Sequence, residues 1–155
     1  LLSGGSQENG RRAGTESLPL IAAFAAATKL GYAEMPNSIK HMTVLRQHLI
    51  DRLTQEIPEL LVIGGDAPHI LSISLPGYKS EVLMNYLEAR NIYVSKSSAC
   101  KKGARSHVLE AMKIKDVQID GTLRIGLSRY STLAEADTLV DTLKSAVKEL
   151  FTVLR

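Results

Sequence analysis

Apolar positions recur along the chain in two distinct rhythms. From Ser17 the stretch SLPLIAAFAAATKLGYAEM reads as a helix, with Ser17 as N-cap and Pro19 in the first turn. Pro36 is expected to end or kink it. Over 37–57 the residues Ile39, Met42, Leu45, Leu49, Ile50, Leu53 and Ile57 are spaced by threes and fours, which predicts an amphipathic helix closed by Pro58. The rhythm then shortens. LLVIGG over 60–65 is an apolar run stopped by glycines, and HILSISLPG over 69–77 alternates before Pro76-Gly77, so both predict strands. A helix is expected over 79–90 with Val82, Leu83, Tyr86 and Leu87 inward. A short strand IYVS, a short helix over 106–112 and a strand over 121–128 follow. Thr132-x-x-Glu135 has capping-box spacing and opens a last helix on Leu139, Leu143, Val147, Leu150 and Leu154. Strands and helices mixed without a strict βαβ alternation predict an α+β fold: a small antiparallel or mixed sheet with helices on one face.

Composition narrows the class further. At 155 residues the chain is long enough for a domain with a real core. A single cysteine excludes an internal disulfide and suits a reducing, cytoplasmic setting. The longest apolar stretch, 18–27, is half of the ~20 residues a membrane span needs, so no membrane association is expected. A net charge of +3, spread along the chain without interleaved aromatics, gives no support to direct nucleic-acid binding. The opening LLSGGSQENG has neither an initiator methionine nor a basic-then-apolar leader, and is expected to lie inside a longer chain.

Three places carry potential chemistry. Cys100 stands in a polar loop among Lys96, Ser97, Ser98, Lys101, Lys102 and Gly103, an odd setting for a residue that usually packs as a small hydrophobe. Neighbouring lysines and the N-terminus of the following helix would favour its thiolate; a solvated surface thiol is the plainer reading. Arg124 lies between Leu123 and Ile125 on an apolar strand, so it faces away from them. If that face lines a pocket, the forked guanidinium suits a carboxylate; otherwise it faces solvent. GGSQENGRRAGT is a glycine-rich loop that ends in Gly14-Thr15 ahead of a helix, where amides and a hydroxyl can hold a phosphate. His41, His48, His69 and His107 do not cluster, and no metal site is expected.

Taken in series, these motifs resemble the cysteine desulfurases, NifS-like members of the pyridoxal-phosphate-dependent class-V aminotransferases. Gly4, Gly5, Gln7, Glu8, Gly10, Arg12, Gly14 and Thr15 match that family's G-G-x-Q-E-x-G-x-R-x-G-T. Lys96-Ser97-Ser98-Ala99-Cys100 resembles its S-G-S-A-C, TLRIGLS resembles its S-x-R-x-S-L-G strand, and the helix over 107–112 and the last helix also fit. The chain departs from the pattern at Ser6, Lys96, Ser97, Lys101 and Lys102.

The resemblance implies the C-terminal small domain of the aspartate-aminotransferase fold, over 17–155 with a catalytic cysteine loop at 95–106. Residues 1–16 would be a dimer-facing remnant of the large domain. It implies sulfur transfer from L-cysteine to Cys100 as a persulfide, with release of L-alanine, for iron–sulfur clusters or tRNA thiolation. Arg124 would grip the substrate carboxylate, and Thr15 would reach the phosphate of pyridoxal 5'-phosphate in the partner subunit of a homodimer. A sulfur-acceptor or scaffold protein would be the partner. The lysine that anchors the cofactor follows a histidine in that family; no His-Lys pair occurs here, so this chain alone is expected not to catalyse. A selenocysteine lyase-like relative and a stand-alone sulfur-relay or scaffold-binding domain are the competing readings.

Overall fold

A computed structural model describes residues 2–96 and 105–150. The chain divides into two compact units, 1–37 and 38–155. In the first, a short 3-10 turn at Gln7–Gly10 has Glu8 and Asn9 in the left-handed region, and helix α1 (Leu18–Glu56) begins. The residues of that first stretch of α1 are exposed, with Leu18, Leu20, Ile21, Phe24, Leu30 and Tyr32 among them.

Pro36 does not end the helix. The two helices expected on either side of it form one element of 39 residues. An interior proline costs roughly 3 kcal/mol, because it removes one N–H and crowds the carbonyl one turn earlier. Here residues 31–37 are all exposed, so water can satisfy the freed carbonyl, and the good helix formers Ala33, Glu34 and Met35 precede the proline.

The second unit is built on a four-stranded sheet in the order β1-β2-β4-β3, antiparallel throughout: β1 (Leu61–Ile63), β2 (Ile70–Ser74), β3 (Ser95–Lys96) and β4 (Thr122–Gly126). Alternation sends Leu71 and Ile73 of β2, and Leu123 and Ile125 of β4, to one face. Against it pack Leu49 and Leu53 of α1, Leu83 and Leu87 of α2 (Ser80–Glu88), and Leu139, Val140 and Leu143 of α5 (Leu133–Glu149). The fold is therefore the expected α+β arrangement. Two expected core positions are exposed instead: Ile39 and Val82. Burial on α1 starts at Leu45, and on α2 the Leu83–Leu87 pair takes the core-facing stripe, which leaves Val82 to the side. Leu154 lies outside the described residues.

Two short helices lie over part of the opposite face. α3 (His107–Ala111) was expected; α4 (Asp116–Asp120) was not, because one turn with a single buried residue, Ile119, leaves no periodic signal. Leu109, Ile119 and Ile63 form a small second cluster there. The Ser74 and Thr122 hydroxyls both donate to the Gln118 carbonyl, at 2.6 and 2.8 Å. Outside the core, Arg52 of α1 donates to Asp137 and Asp141 of α5, and Lys144 of α5 pairs with Glu56.

Gly121, just before β4, touches backbone directly. A Cβ there would overlap the Leu75 carbonyl oxygen and lie 2.8 Å from the Leu75 carbonyl carbon. The same two residues are joined by a hydrogen bond from Leu75 N to Gly121 O, 3.1 Å. Neither backbone can yield without disturbing the β2–β4 pairing. Gly121→Ala is expected to destabilise by about 1–3 kcal/mol, at about 2–4 °C of Tm per kcal/mol. Thermal unfolding of the variant checks this; an unchanged Tm would show that the two backbones are not in contact.

Candidate functional site

The open part of the second sheet face carries Arg124. Its neighbours Leu123 and Ile125 are buried in the core, so strand alternation holds Arg124 out on the other side. In register across the sheet, Arg124 is paired with Ser72 on β2 and with Ser95 on β3. Arg124 Nε donates to Ser95 Oγ at 3.2 Å. Among the described residues no carboxylate pairs with its guanidinium. The sheet thus presents an exposed cation flanked by two small hydroxyl residues.

β3 runs straight into residues 97–104. Cys100, with Lys101 and Lys102, lies outside the described residues. Both flanks of that segment are held by ion pairs. Before it, Lys96 Nζ donates to Glu81 Oε1 at 2.7 Å, and this bond holds the Glu81 carboxyl below its ordinary value. Lys96 was a candidate for favouring the cysteine thiolate; here its charge is largely met by Glu81. After the segment, Arg105 is gripped by two carboxylates of α4. Nε and Nη2 donate to the two oxygens of Asp120, at 2.9 and 3.1 Å, and Nη1 donates to Asp116 at 2.6 Å. The pair raises the Arg105 pKa, and Arg105's hydrogen bonds hold Asp120 low.

In the first unit the glycine-rich loop folds on itself. Gly14 N donates to Gln7 Oε1 at 3.2 Å, and Arg12 Nη1 donates to Gly14 O at 3.2 Å. Gly4, Gly10 and Gly14 all have positive φ, which explains glycine at each. The amide of Gly14 is therefore engaged, and the helix starts only at Leu18. Thr15 is exposed, and its hydroxyl has no hydrogen-bond partner among the described residues. These residues fit a phosphate-bearing cofactor as the donor of one hydroxyl, not as a complete cradle.

Two of the four histidines, His41 and His48, have structural partners. His48 Nε2 meets Asp137 Oδ1 at 2.6 Å, and His41 Nε2 meets the Ser131 carbonyl at 2.8 Å. Among the described residues no cluster of His, Cys, Asp or Glu could hold a metal ion, and no helix is long and apolar enough to cross a membrane. A cleft of about 450 Å³ opens beside the start of α5, lined by Leu49, Ile92, Val94, Leu127 and Leu139 among others, and it does not include Arg124. The residues that sequence reasoning passed over are Ser72, Ser95, Glu81, Arg105 and Asp120. The partnerships that single them out arise only from strand register and helix placement.

The sheet and its helices form a small α+β fold, and comparison with known proteins says which family it belongs to. The chain belongs to the aminotransferase class-V family, whose model matches residues 4–139. It is 36% identical to a cysteine desulfurase of Klebsiella pneumoniae over 97% of this chain and 39% of that protein. It is 34% identical to the cysteine desulfurase IscS of Methanosarcina thermophila, over 97% of this chain and 38% of that one. Among solved structures, a NifS-like protein superposes with a TM-score of 0.83 at 31% identity, over 97% of this chain and 39% of the other. The chain thus spans about two-fifths of the length of the relatives it matches.

Acid tests the Arg105 anchor. Because Asp120 is held below its ordinary pKa, its contribution to stability is present above the usual carboxyl value of about 3.9. That contribution is lost as pH falls through the lowered value. Arg105→Ala should therefore lower the urea midpoint at pH 6, and the gap to the unsubstituted protein should shrink by pH 2.5. A gap of equal size at both pH values would mean that Arg105 acts through packing and not through charge.

Proposed function

We propose that this chain is the C-terminal part of a cysteine desulfurase that takes sulfur from L-cysteine onto Cys100. The observation that carries the reading is the placement of Arg124. It is an exposed arginine on a sheet face, with no carboxylate partner among the described residues, in register with Ser95 on the strand that leads into the cysteine segment. The similarity to cysteine desulfurases over 97% of the chain supports the same conclusion. In this reading residues 17–155 serve as the small domain, 1–16 as an edge of the larger one, and the loop 95–106 bears the nucleophile.

The work of the residues follows from their chemistry. Arg124 binds the α-carboxylate of L-cysteine through a forked pair of hydrogen bonds and so fixes which end of the substrate faces the cysteine segment. The Cys100 thiolate attacks the substrate sulfur. A sulfur–sulfur bond forms and the substrate carbon–sulfur bond breaks; the carbon keeps the electron pair and takes a proton, giving L-alanine and a persulfide on Cys100. When bound, pyridoxal phosphate supplies the electron sink that lets the carbon carry that pair, and Thr15 offers one hydroxyl to its phosphate from the partner subunit of a homodimer. A sulfur-acceptor protein then removes the outer sulfur, for iron–sulfur clusters or tRNA thiolation.

The deciding experiment uses the full-length protein. Cys100→Ser is expected to abolish alanine release from L-cysteine while leaving the cofactor absorbance unchanged; turnover retained in that variant would refute the assignment. A forked charge-assisted pair contributes about 1.5–3 kcal/mol, so Arg124→Ala should raise KM for L-cysteine about 10- to 100-fold. Arg124→Lys should not restore it, because an ammonium cannot fork. An unchanged KM would mean that Arg124 serves only solvent.

A further inference from the structure

Arg124 has three edges from which it can donate, and the structure has already committed one of them. Its Nε–H is given to Ser95 Oγ at 3.2 Å, from the residue directly opposite on β3. The Ser95 hydroxyl lies 3.5 Å from the Arg124 carbonyl, at the edge of hydrogen-bond range, so one hydroxyl meets both ends of the same residue. A guanidinium can receive a carboxylate side-on, through Nε and one Nη, or end-on, through both Nη groups. With Nε engaged, only the end-on fork remains.

The surroundings keep that fork accessible. On the other side of Arg124 in the sheet stands Ser72, again small, and two residues along β4 is Gly126, where an added Cβ would meet nothing within 4 Å. No large side chain crosses the guanidinium from these positions. A long flexible arginine on an exposed strand would otherwise sample several rotamers and lose that freedom on binding.

We propose that Ser95 is a positioning residue for substrate: it fixes the Arg124 guanidinium so that the carboxylate of an α-amino acid is received end-on. This rests on the reading of Arg124 as the carboxylate site and adds to it the residue that orients the fork. Ser95 touches the arginine and not the substrate, so its loss should weaken recognition of the carboxylate while leaving the chemistry at the sulfur in place.

The test uses full-length protein and two inhibitors that differ only at the recognised group, L-alanine and L-alaninamide, in competition with L-cysteine. Ser95→Ala is expected to raise KM for L-cysteine about 3- to 10-fold with kcat within about twofold. It should also reduce the preference for L-alanine over L-alaninamide by a similar factor. Ser95→Thr, which keeps the hydroxyl on a residue suited to a strand, should restore the preference. Arg124→Ala, run alongside, separates the two ideas. If it abolishes the preference and Ser95→Ala leaves it unchanged, the role of Ser95 is overturned and that of Arg124 stands. If Arg124→Ala itself leaves the preference unchanged, the carboxylate site is elsewhere and both assignments fall. A loss of preference in Ser95→Ala that Ser95→Thr does not repair would also overturn the proposal, since the hydroxyl would not be the cause.

Discussion

The pairing of β2 with β4 is the constraint from which the second unit is organised. Five residues on each strand lie in register, and the two strands send Leu71, Ile73, Leu123 and Ile125 into the core together. Each such side chain contributes about 1.5–3 kcal/mol when fully buried. A slip of one residue would turn all four to the wrong face. The close contact between Gly121 and Leu75 sits at the end of this ladder and admits no side chain. Once this register holds, Arg124 has no choice of face.

That coupling links stability to chemistry. A charged guanidinium on the core side would have to be desolvated without a partner, at large cost. On the open side it keeps its hydration and can exchange water for a carboxylate. The apolar residues that bracket Arg124 are thus what orients it, although neither approaches its charge. β3 then adds the neighbour that engages Nε, and it adds this from the last described residues before the cysteine segment.

Ion pairs mark both flanks of that segment, Lys96 with Glu81 and Arg105 with Asp116 and Asp120. Exposed pairs of single contact contribute little. The Arg105 arrangement is stronger in kind, since a planar fork meets both oxygens of one carboxylate and a second carboxylate takes the remaining edge. It ties the residue that leads into α3 to α4, the one-turn helix that also satisfies the Ser74 and Thr122 hydroxyls.

Much of this was legible in the order of residues. Threes and fours marked the helix over 37–57, alternation marked β2 and β4, and Thr132 with Glu135 announced α5, because each depends on neighbours within a few positions. The three motifs in series pointed to the family for the same reason, and the side on which Arg124 lies follows from its apolar neighbours alone. Pro36 misled, since whether a proline ends a helix depends on what surrounds the carbonyl it frees, and the exposure of residues 31–37 is not a local signal. The α4 turn is too short to leave a periodic signal, and the backbone contact at Gly121, the capture of Lys96 by Glu81 and the placement of Ser95 beside Arg124 come from residues 15 to 46 positions apart. Sequence by itself determined which elements form and which residue types are available for chemistry. Tertiary structure decided which of them meet, because strand register and helix docking bring together side chains that no local spacing relates.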